Sequence, residues 1–211
     1  TGPALSQVEP ALMALRFLLL LLLALPLGQA AEKTGAVVTV HPLATKAAEY
    51  AFIQGGNAVD AAVAAALTLG VVDGFNSGIG GGCFMLIRKP DGTFVAIDGR
   101  ETAPQKASRD MFLHDGKADP GLSRTGALAI GVPGALAAYD LAIREHGNID
   151  LAEHLGQAAA IAEKGFALDK AYLRRLDQAV EKLRQFPDSA RIFLGPDGNA
   201  WPIGYSLKQP D

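Results

Sequence analysis

The order of apolar and polar residues predicts alternating strands and helices along the chain. Residues 35–40, GAVVTV, have the β-branched composition of a short strand. A helix is predicted over residues 42–53, because proline suits its first position and Gly55 and Gly56 follow its end. The folded domain is therefore expected to begin with a strand followed by a helix.

A second helix is predicted over residues 58–69, and it is apolar on every side. Asn57 is a suitable N-cap, and Asp60 stands in the first turn, where a negative charge is favourable. After Asp60 the segment consists almost entirely of Ala, Val and Leu. Since a helix that is hydrophobic all round is buried, we expect this one inside the fold.

A hairpin is predicted in the middle of the chain, directly after a glycine-rich loop, SGIGGG, at residues 77–82. Residues 83–87 are expected to form a buried strand and residues 93–97 the returning strand. The residues between them, KPDG at 89–92, are typical of a turn. The charged segment DGRE, at residues 98–101, follows directly at the end of the second strand.

The remaining part of the chain is predicted to be mainly helical. Residues 128–132 have the pattern of another strand. Three helices are then expected to begin at Pro133, Asp150 and Asp169 and to stop at Gly147, Gly165 and Pro187. The last helix has an apolar stripe formed by Leu173, Leu176, Val180 and Leu183. Because strands and helices are mixed, the chain is expected to form an α/β or α+β layered fold.

Residues 1–30 are predicted to be a leader, outside a folded domain of residues 31–211. An apolar run, FLLLLLLAL at residues 17–25, follows one positive charge and precedes the small residues Gly28 and Ala30. This order is typical of a signal peptide that is cleaved after Ala30. The run is shorter than the ~20 residues that a membrane-spanning helix needs. A secreted or periplasmic location is therefore expected, with an uncleaved membrane anchor as the alternative.

The residues before the apolar run indicate a later start of translation. Met13 opens a better signal peptide, at about residues 13–30, than Thr1 does. We therefore expect residues 1–12 to come from an over-extended reading frame.

Composition and charge limit the classes of function. The chain has 211 residues, of which 49% are hydrophobic and 19% charged, so a disordered polar chain is excluded. Lys and Arg number 19 against 22 Asp and Glu, a net charge of −3 without the basic excess of a nucleic-acid-binding protein. The single cysteine, Cys83, excludes an intramolecular disulfide, a multi-cysteine zinc framework and a Cys-x-x-Cys redox motif.

Three features invite a chemical interpretation, and each has a simpler structural one. The loop at residues 77–82 resembles a phosphate cradle, but Cys83 stands where a dinucleotide motif needs its last glycine, and a strand follows instead of a helix. Cys83 itself is interpreted as a small apolar residue of a strand rather than a nucleophile. The histidines show no HxxxH or HExxH spacing, so no metal ion is expected, and the sequence implies no organic cofactor.

Arg100 and Glu101 form the most informative polar pair of the sequence. They follow a buried strand closely, at a position where binding sites are often built. Arginine binds carboxylates through two parallel hydrogen bonds, which favours a role in binding an acidic ligand. A salt bridge at the rim of the fold is the alternative. From the residues alone, the sequence predicts a secreted layered domain without a complete catalytic set.

Three motifs, in order, resemble those of the gamma-glutamyltransferase (glutathione hydrolase) family. They are GGNAVDAAVAA at residues 55–65, SGIGGG at 77–82 followed by Phe84, and DGRETAP at 98–104. The agreement continues at residues 131–134, 158–166 and 204–211. The resemblance therefore covers the chain from about Gly35 to its end.

The resemblance implies an α+β fold of the N-terminal-nucleophile hydrolase type, in which two sheets lie between helical layers (αββα), incomplete in this chain. Members of that family are made as precursors that cleave themselves into a large and a small subunit. The new N-terminal threonine of the small subunit attacks the γ-glutamyl group of glutathione, with its own amine as the base. Water or an acceptor amino acid or peptide then resolves the acyl-enzyme.

For this chain, the resemblance implies substrate-binding residues but no catalytic one. Arg100 matches the arginine that holds the α-carboxylate of the γ-glutamyl group, and Glu101 matches the neighbouring position, where it supports Arg100. Residues 31–211 match only the first part of the large subunit, so the nucleophilic threonine is expected outside this chain. We therefore expect the chain alone to be inactive and poorly soluble, since its strands lack their partner strands.

Two other functions stay open. A related acylase of the same fold would act on a different amide. A non-catalytic secreted protein would bind γ-glutamyl compounds or a partner subunit. A reading frame that continues past Asp211 into a threonine processing site favours the enzyme, and an immediate stop codon favours the binding protein.

Overall fold

The structure is a computed structural model, and it describes residues 35–210. The predicted leader and the predicted start at Met13 lie outside the described residues. Within the described range, six α-helices accompany six strands that form three antiparallel pairs, so the α+β class is confirmed. None of the helices in this range has the length and apolar character that a membrane span requires.

The first helix, α1 (Pro42–Ile53), has the predicted bounds. Pro42 occupies its first turn, and Nδ1 of His41 accepts a hydrogen bond from the N–H of Leu43 at 3.2 Å. The strand predicted at residues 35–40 is wrong, because these residues form no strand. Their β-branched side chains favour extended backbone, but a strand also needs a neighbour that supplies hydrogen bonds.

The second helix, α2 (Ala58–Val72), is buried as predicted and ends later than residue 69. The side chain of Asn57 accepts hydrogen bonds from the first turn, while Oδ2 of Asp60 accepts one from the N–H of Asn57 at 2.7 Å. This reciprocal capping box fixes the start of the helix. Small side chains allow α1 and α2 to pack closely around a core of Ala44, Ala47, Ala48, Ala51, Ala61, Ala64 and Ala65.

The predicted hairpin is confirmed as β1 (Cys83–Arg88) paired with β2 (Phe94–Gly99). One of its faces packs on the main core through residues such as Met85 and Ile97. The other face leaves Phe84, Leu86 and Phe94 exposed by 72%, 69% and 61%. Among the described residues this sheet has two strands only, so both of its edges lack a further strand.

The C-terminal half contains four helices: α3 (Ala135–His146), α4 (Leu151–Lys164), α5 (Lys170–Leu183) and α6 (Pro187–Phe193). The predicted stops at Gly147 and Gly165 and the cap at Asp169 are confirmed. The strand predicted at residues 128–132 is wrong, because a single 3-10 turn, Ala127–Ala129, occupies its first two residues and only Val132 makes an isolated bridge, with Thr102. The stop predicted at Pro187 lies too late, because α5 ends at Leu183 and Pro187 begins α6.

Short strand pairs connect these helices to the rest of the fold. The pairs are β3 (Leu113–His114) with β4 (Lys117–Ala118), and β5 (Phe166–Ala167) with β6 (Ser206–Leu207). The second pair joins the chain after α4 to the C-terminal segment. Beside it, α5 and α6 close a separate core around Leu168, Tyr172, Leu176 and Leu194. The apolar stripe predicted on α5 faces this core.

Candidate substrate-binding site

A cavity of about 770 Å³ brings the predicted site residues together with the glycine loop. Arg100 and Glu101 line it at the end of β2, and residues 74–78 and 80–82 line it after the end of α2. Cys83 and Tyr139 complete the wall next to the hairpin and α3. The loop and the charged pair are separate motifs in the sequence, and they form one site in the fold.

Arg100 lies at the rim of this cavity, with 67% of its side chain exposed. Its backbone N–H donates a hydrogen bond to Oδ1 of Asp98 at 2.9 Å, which fixes the turn at the end of β2. Its Nε lies 3.3 Å from Oε2 of Glu101, so the ion pair considered from the sequence is present. Arg100 forms no ion pair with any other acidic side chain in the part of the chain that is described.

Glu101 is half-buried and packs directly against the glycine loop. A Cβ atom placed on Gly82 would lie 2.5 Å from Oε2 of Glu101 and 2.8 Å from its backbone nitrogen. Gly82 is therefore needed because there is no room for a side chain. None of the glycines at residues 77–82 has a positive φ, so this loop uses glycine for close packing and not for a left-handed backbone.

A third segment, residues 131–134, holds the backbone of Arg100 from the other side. Thr102 and Val132 exchange backbone hydrogen bonds of 3.1 and 2.9 Å. The N–H groups of Gly134 and Ala135, at the start of α3, both donate to the carbonyl oxygen of Gly81 at 3.1 Å. A Cβ atom on Gly134 would lie 2.9 Å from the carbonyl oxygen of Arg100. Nothing in the sequence of this GVPG segment indicates a site role, because its contact with the site is made only by the fold.

Cys83 and Tyr139 are neutral groups on the wall of the cavity. Burial raises the pKa of the Cys83 thiol, and an interaction with Tyr139 offsets only part of the rise. Burial also raises the pKa of the Tyr139 hydroxyl, and the neighbouring Cys83 adds to the rise. Both groups therefore keep their protons at neutral pH, and Cys83 lacks the thiolate character that a nucleophile needs.

A buried pair away from the cavity, Asp60 and His154, is a feature that the sequence did not reveal. Their side chains are fully buried, and Oδ1 of Asp60 lies 3.5 Å from Nε2 of His154. Burial acts to raise the pKa of Asp60, but hydrogen bonds from the N–H groups of Asn57, Ile149 and Asn148 outweigh it and leave the pKa below its usual value. The carboxylate therefore joins the start of α2 to the segment before α4. No group of three or more potential metal ligands occurs in residues 35–210.

Comparison with known proteins identifies the family. The family model for gamma-glutamyltranspeptidase matches residues 44–211. The chain belongs to the gamma-glutamyltranspeptidase family. The glutathione hydrolase proenzyme of Escherichia coli is 40% identical over 181 residues, and the acylase ACY 1 proenzyme of Pseudomonas sp. strain V22 is 39% identical over 184. These matches cover 85% and 84% of this chain but only 30% and 33% of the two relatives.

Solved structures of the gamma-glutamyltranspeptidase family share this fold. The enzyme of Helicobacter pylori superposes with a TM-score of 0.81 at 35% identity, over 84% of this chain and 51% of that one. The likeness confirms the predicted N-terminal-nucleophile hydrolase type, of which this chain matches the N-terminal part of the large subunit. The chain thus spans about half of that solved chain and about a third of the relatives named above.

Proposed function

We propose that this chain supplies the carboxylate-binding part of an enzyme that transfers or hydrolyses the γ-glutamyl group of glutathione and related compounds. The observation that carries the proposal is the position of Arg100 at the rim of the cavity. Apart from Glu101, Arg100 pairs with no acidic side chain among residues 35–210, so a ligand carboxylate can still bind its guanidinium. A γ-glutamyl group carries such a carboxylate, and arginine binds it in a bidentate manner.

Glu101 is proposed to position Arg100. Its carboxylate lies beside Nε of the guanidinium. A ligand that binds the two terminal nitrogens in a bidentate manner would use the other edge of the guanidinium. Contact with Gly82 limits the movement of Glu101, and Glu101 in turn limits the movement of Arg100. A preorganised guanidinium loses less conformational entropy when the ligand binds.

The nucleophile is proposed to lie in a part of the precursor that this chain does not include. Ser77 is a hydroxyl residue of the cavity, but its Oγ donates to Oδ2 of Asp73 at 3.3 Å rather than to a general base such as histidine. We propose that an N-terminal threonine, released by self-cleavage of the precursor, attacks the γ-glutamyl carbonyl and forms an acyl-enzyme. Water, an amino acid or a peptide then accepts the group.

The chain alone is therefore expected to be inactive. Incubation of the purified 211-residue protein with glutathione is expected to release no glutamate above the spontaneous rate. Release that increases with protein concentration would show that a nucleophile is present in this chain and would overturn this part of the proposal.

The exposed apolar face of the β1–β2 hairpin is proposed to pack against the small subunit from the same precursor. Phe84, Leu86 and Phe94 stand on this face, and apolar patches of this kind mark protein interfaces. Replacing Phe84 by serine is expected to make the isolated chain more soluble and to weaken its assembly with the remainder of the precursor. Assembly that tolerates this change would contradict the assignment.

Export is proposed to place the enzyme outside the cytoplasm, through a signal peptide at about residues 13–30 that is cleaved after Ala30. The order of charge, apolar run and small residues supports this proposal. The N-terminal sequence of the exported protein is expected to begin at Ala31. A mature N-terminus upstream of the apolar run would contradict cleavage.

The central test uses the complete reading frame that contains this sequence. Arg100→Gln is expected to raise KM for glutathione and to lower kcat/KM about 100-fold or more, because a charged, bidentate contact is lost. Arg109→Gln is the matched control, since this exposed arginine lies in the segment that follows and does not line the cavity. Equal effects of the two changes, or a stop codon directly after Asp211, would overturn the enzyme assignment and favour a non-catalytic binding protein.

A related acylase activity is the second candidate, because an acylase proenzyme is nearly as similar to this chain as a glutathione hydrolase proenzyme is. Two anilides separate the candidates: the γ-glutamyl compound and the 4-aminobutanoyl compound, which lacks only the α-carboxylate. The γ-glutamyl enzyme is expected to prefer the first anilide, and Arg100→Gln is expected to remove the preference. An acylase that does not use Arg100 would cleave both at similar rates before and after the change.

A further inference from the structure

A second and smaller cavity, of about 190 Å³, shares a wall with the cavity of Arg100. Gly74 and Phe75 line both cavities, so the two spaces are separated by this short segment. The ring of Phe75 meets the ring of Tyr172 edge-on, with 5.3 Å between the ring centroids. The remaining walls come from α5 and α6 and include Leu176, Ala179, Leu183 and Phe193.

The lining of this smaller cavity is almost entirely apolar. A cavity of about 150 Å³ lined by apolar residues is large enough to bind benzene, so 190 Å³ suits one aromatic or branched aliphatic side chain. Tyr172 contributes a hydroxyl that stays neutral, because burial, together with nearby Asp73, raises its pKa to about 12. The cavity therefore offers no negative charge to a ligand.

Arg175 is the charged residue that lines this cavity. It lies on the exposed side of α5 and forms no ion pair with any residue between 35 and 210. An apolar space with a cation on its lining matches a ligand that has an apolar side chain and a carboxylate. Arg184, on the same helix, differs in this respect, because its Nη1 contacts Glu181.

We propose that this cavity binds the apolar side chain of an amino acid or short peptide whose free carboxylate pairs with Arg175. The assignment of this ligand as an acceptor rests on the proposed function, because an acceptor must reach the acyl group next to the Arg100 cavity. Phe75 then forms the wall between the γ-glutamyl group and the acceptor. The apolar side chain is then held behind Phe75, and the amine of the ligand must reach past this residue to the acyl group.

The experiment measures binding of two probes to the 211-residue chain by ligand-observed NMR titration, at the low protein concentration that its expected poor solubility allows. The probes are 3-phenylpropanoate and 3-phenylpropan-1-ol, which carry the same ring and differ in the carboxylate. The acid is expected to bind with a dissociation constant on the order of 1 mM, as is usual for a ligand of this size. Arg175→Gln is expected to weaken binding of the acid at least about fivefold and to leave binding of the alcohol unchanged.

Ala179→Leu tests the apolar part of the cavity, because the added methyl groups occupy its space. This change is expected to abolish binding of both probes. Gln178→Leu is the matched control: it adds a leucine at the neighbouring, exposed position of α5, which does not line the cavity, and is expected to change neither affinity. Circular dichroism checks that each variant is folded. Arg175→Gln alters an exposed side chain only, so it still tests the proposal if Ala179→Leu fails to fold.

Three results would overturn the proposal: no saturable binding of the acid, unchanged binding after Ala179→Leu in a folded chain, or equal loss of both probes in Arg175→Gln. Loss of acid binding in Arg100→Gln instead would assign the probe to the larger cavity and would also overturn it. These outcomes do not depend on catalysis, so they are distinct from a failure of the γ-glutamyl assignment. If the complete enzyme lacks γ-glutamyl activity while the probes behave as expected, the cavity stands as a carboxylate-and-apolar site and only its acceptor role is lost.

Discussion

Replacing Asp60 by asparagine is expected to lower the free energy of unfolding by about 2–4 kcal/mol. The carboxylate is fully buried and accepts hydrogen bonds from three backbone N–H groups, those of Asn57 at 2.7 Å, Ile149 at 2.9 Å and Asn148 at 3.0 Å. Asparagine has the same shape but one acceptor oxygen fewer. Whichever way its amide is turned, its NH2 group faces a backbone N–H at short range.

The magnitude follows from these contacts. One buried N–H without a partner costs about 1–3 kcal/mol. The hydrogen bonds that remain lose the assistance of a negative charge, which accounts for about 1 kcal/mol more. One donor belongs to the start of α2 and the other two to the segment before α4. The loss therefore weakens the connection between these two helices, which pack against each other.

Urea unfolding of the chain at pH 7, followed by circular dichroism at low protein concentration, measures the effect. Asp110→Asn is the matched control, because this carboxylate is exposed and its replacement is expected to change stability by less than about 0.5 kcal/mol. A loss of less than about 1 kcal/mol in Asp60→Asn would refute the reasoning, since it would mean that the backbone donors find other partners.

The stabilisation by the Asp60 carboxylate is expected to decrease as the pH falls. The pKa of Asp60 is lower in the folded chain than its usual value, so the unfolded chain takes up this proton first as the pH falls. The stabilisation is therefore complete above the unfolded pKa of about 3.9 and is lost as the pH falls through the folded pKa. The difference in the free energy of unfolding between wild type and Asp60→Asn is expected to decrease in that pH range. A difference that stays constant there would contradict the lowered pKa of Asp60 in the folded chain.

Three further changes test the packing of the fold by the same urea assay. Gly82→Ala is expected to cost about 1–3 kcal/mol, because the new Cβ would lie 2.8 Å from the backbone nitrogen of Glu101 and 2.8 Å from the carbonyl oxygen of Gly99; unchanged stability would show that the backbone shifts freely. Leu168→Ala is expected to cost about 2–5 kcal/mol, since this side chain is only 1% exposed in the core beside α5; a smaller loss would mean that the site collapses around the alanine. Asn57→Ala removes the N-cap of α2 and is expected to lower the free energy of unfolding by about 0.5–2 kcal/mol. An unchanged free energy of unfolding would show that the cap does not stabilise the fold.

Local signals made much of the fold predictable from the sequence. Asn57 and Asp169 cap helices, and Gly147 stops one, because each acts on backbone groups within a few residues of itself. The strands predicted at residues 35–40 and 128–132 failed for the opposite reason. A strand depends on a partner that is distant in sequence, and composition alone does not say whether the partner is there.

The same distinction applies to the candidate site. Arg100 and Glu101 drew attention because they follow a strand closely, but their role in substrate binding was predicted from the resemblance to the family; the cavity includes both. The pairing of Asp60 with His154 joins residues 94 positions apart, so no local pattern contains it. The short helix α6 was missed because a proline that follows one helix is also well suited to begin the next.

The glycines of the matched motifs are explained by the closeness of three backbone segments around Arg100. A side chain at Gly82 would meet the backbone of Glu101, one at Gly99 would meet Ala138, and one at Gly134 would meet the carbonyl oxygens of Gly99 and Arg100. These contacts hold the backbone of Arg100 on both sides, while its guanidinium stays exposed at the rim of the cavity. A misplacement of about 1 Å can cost 100-fold in rate even when it arises far from the reacting atoms. A substitution at Gly134, which touches no substrate, would therefore act on the site through the position of Arg100.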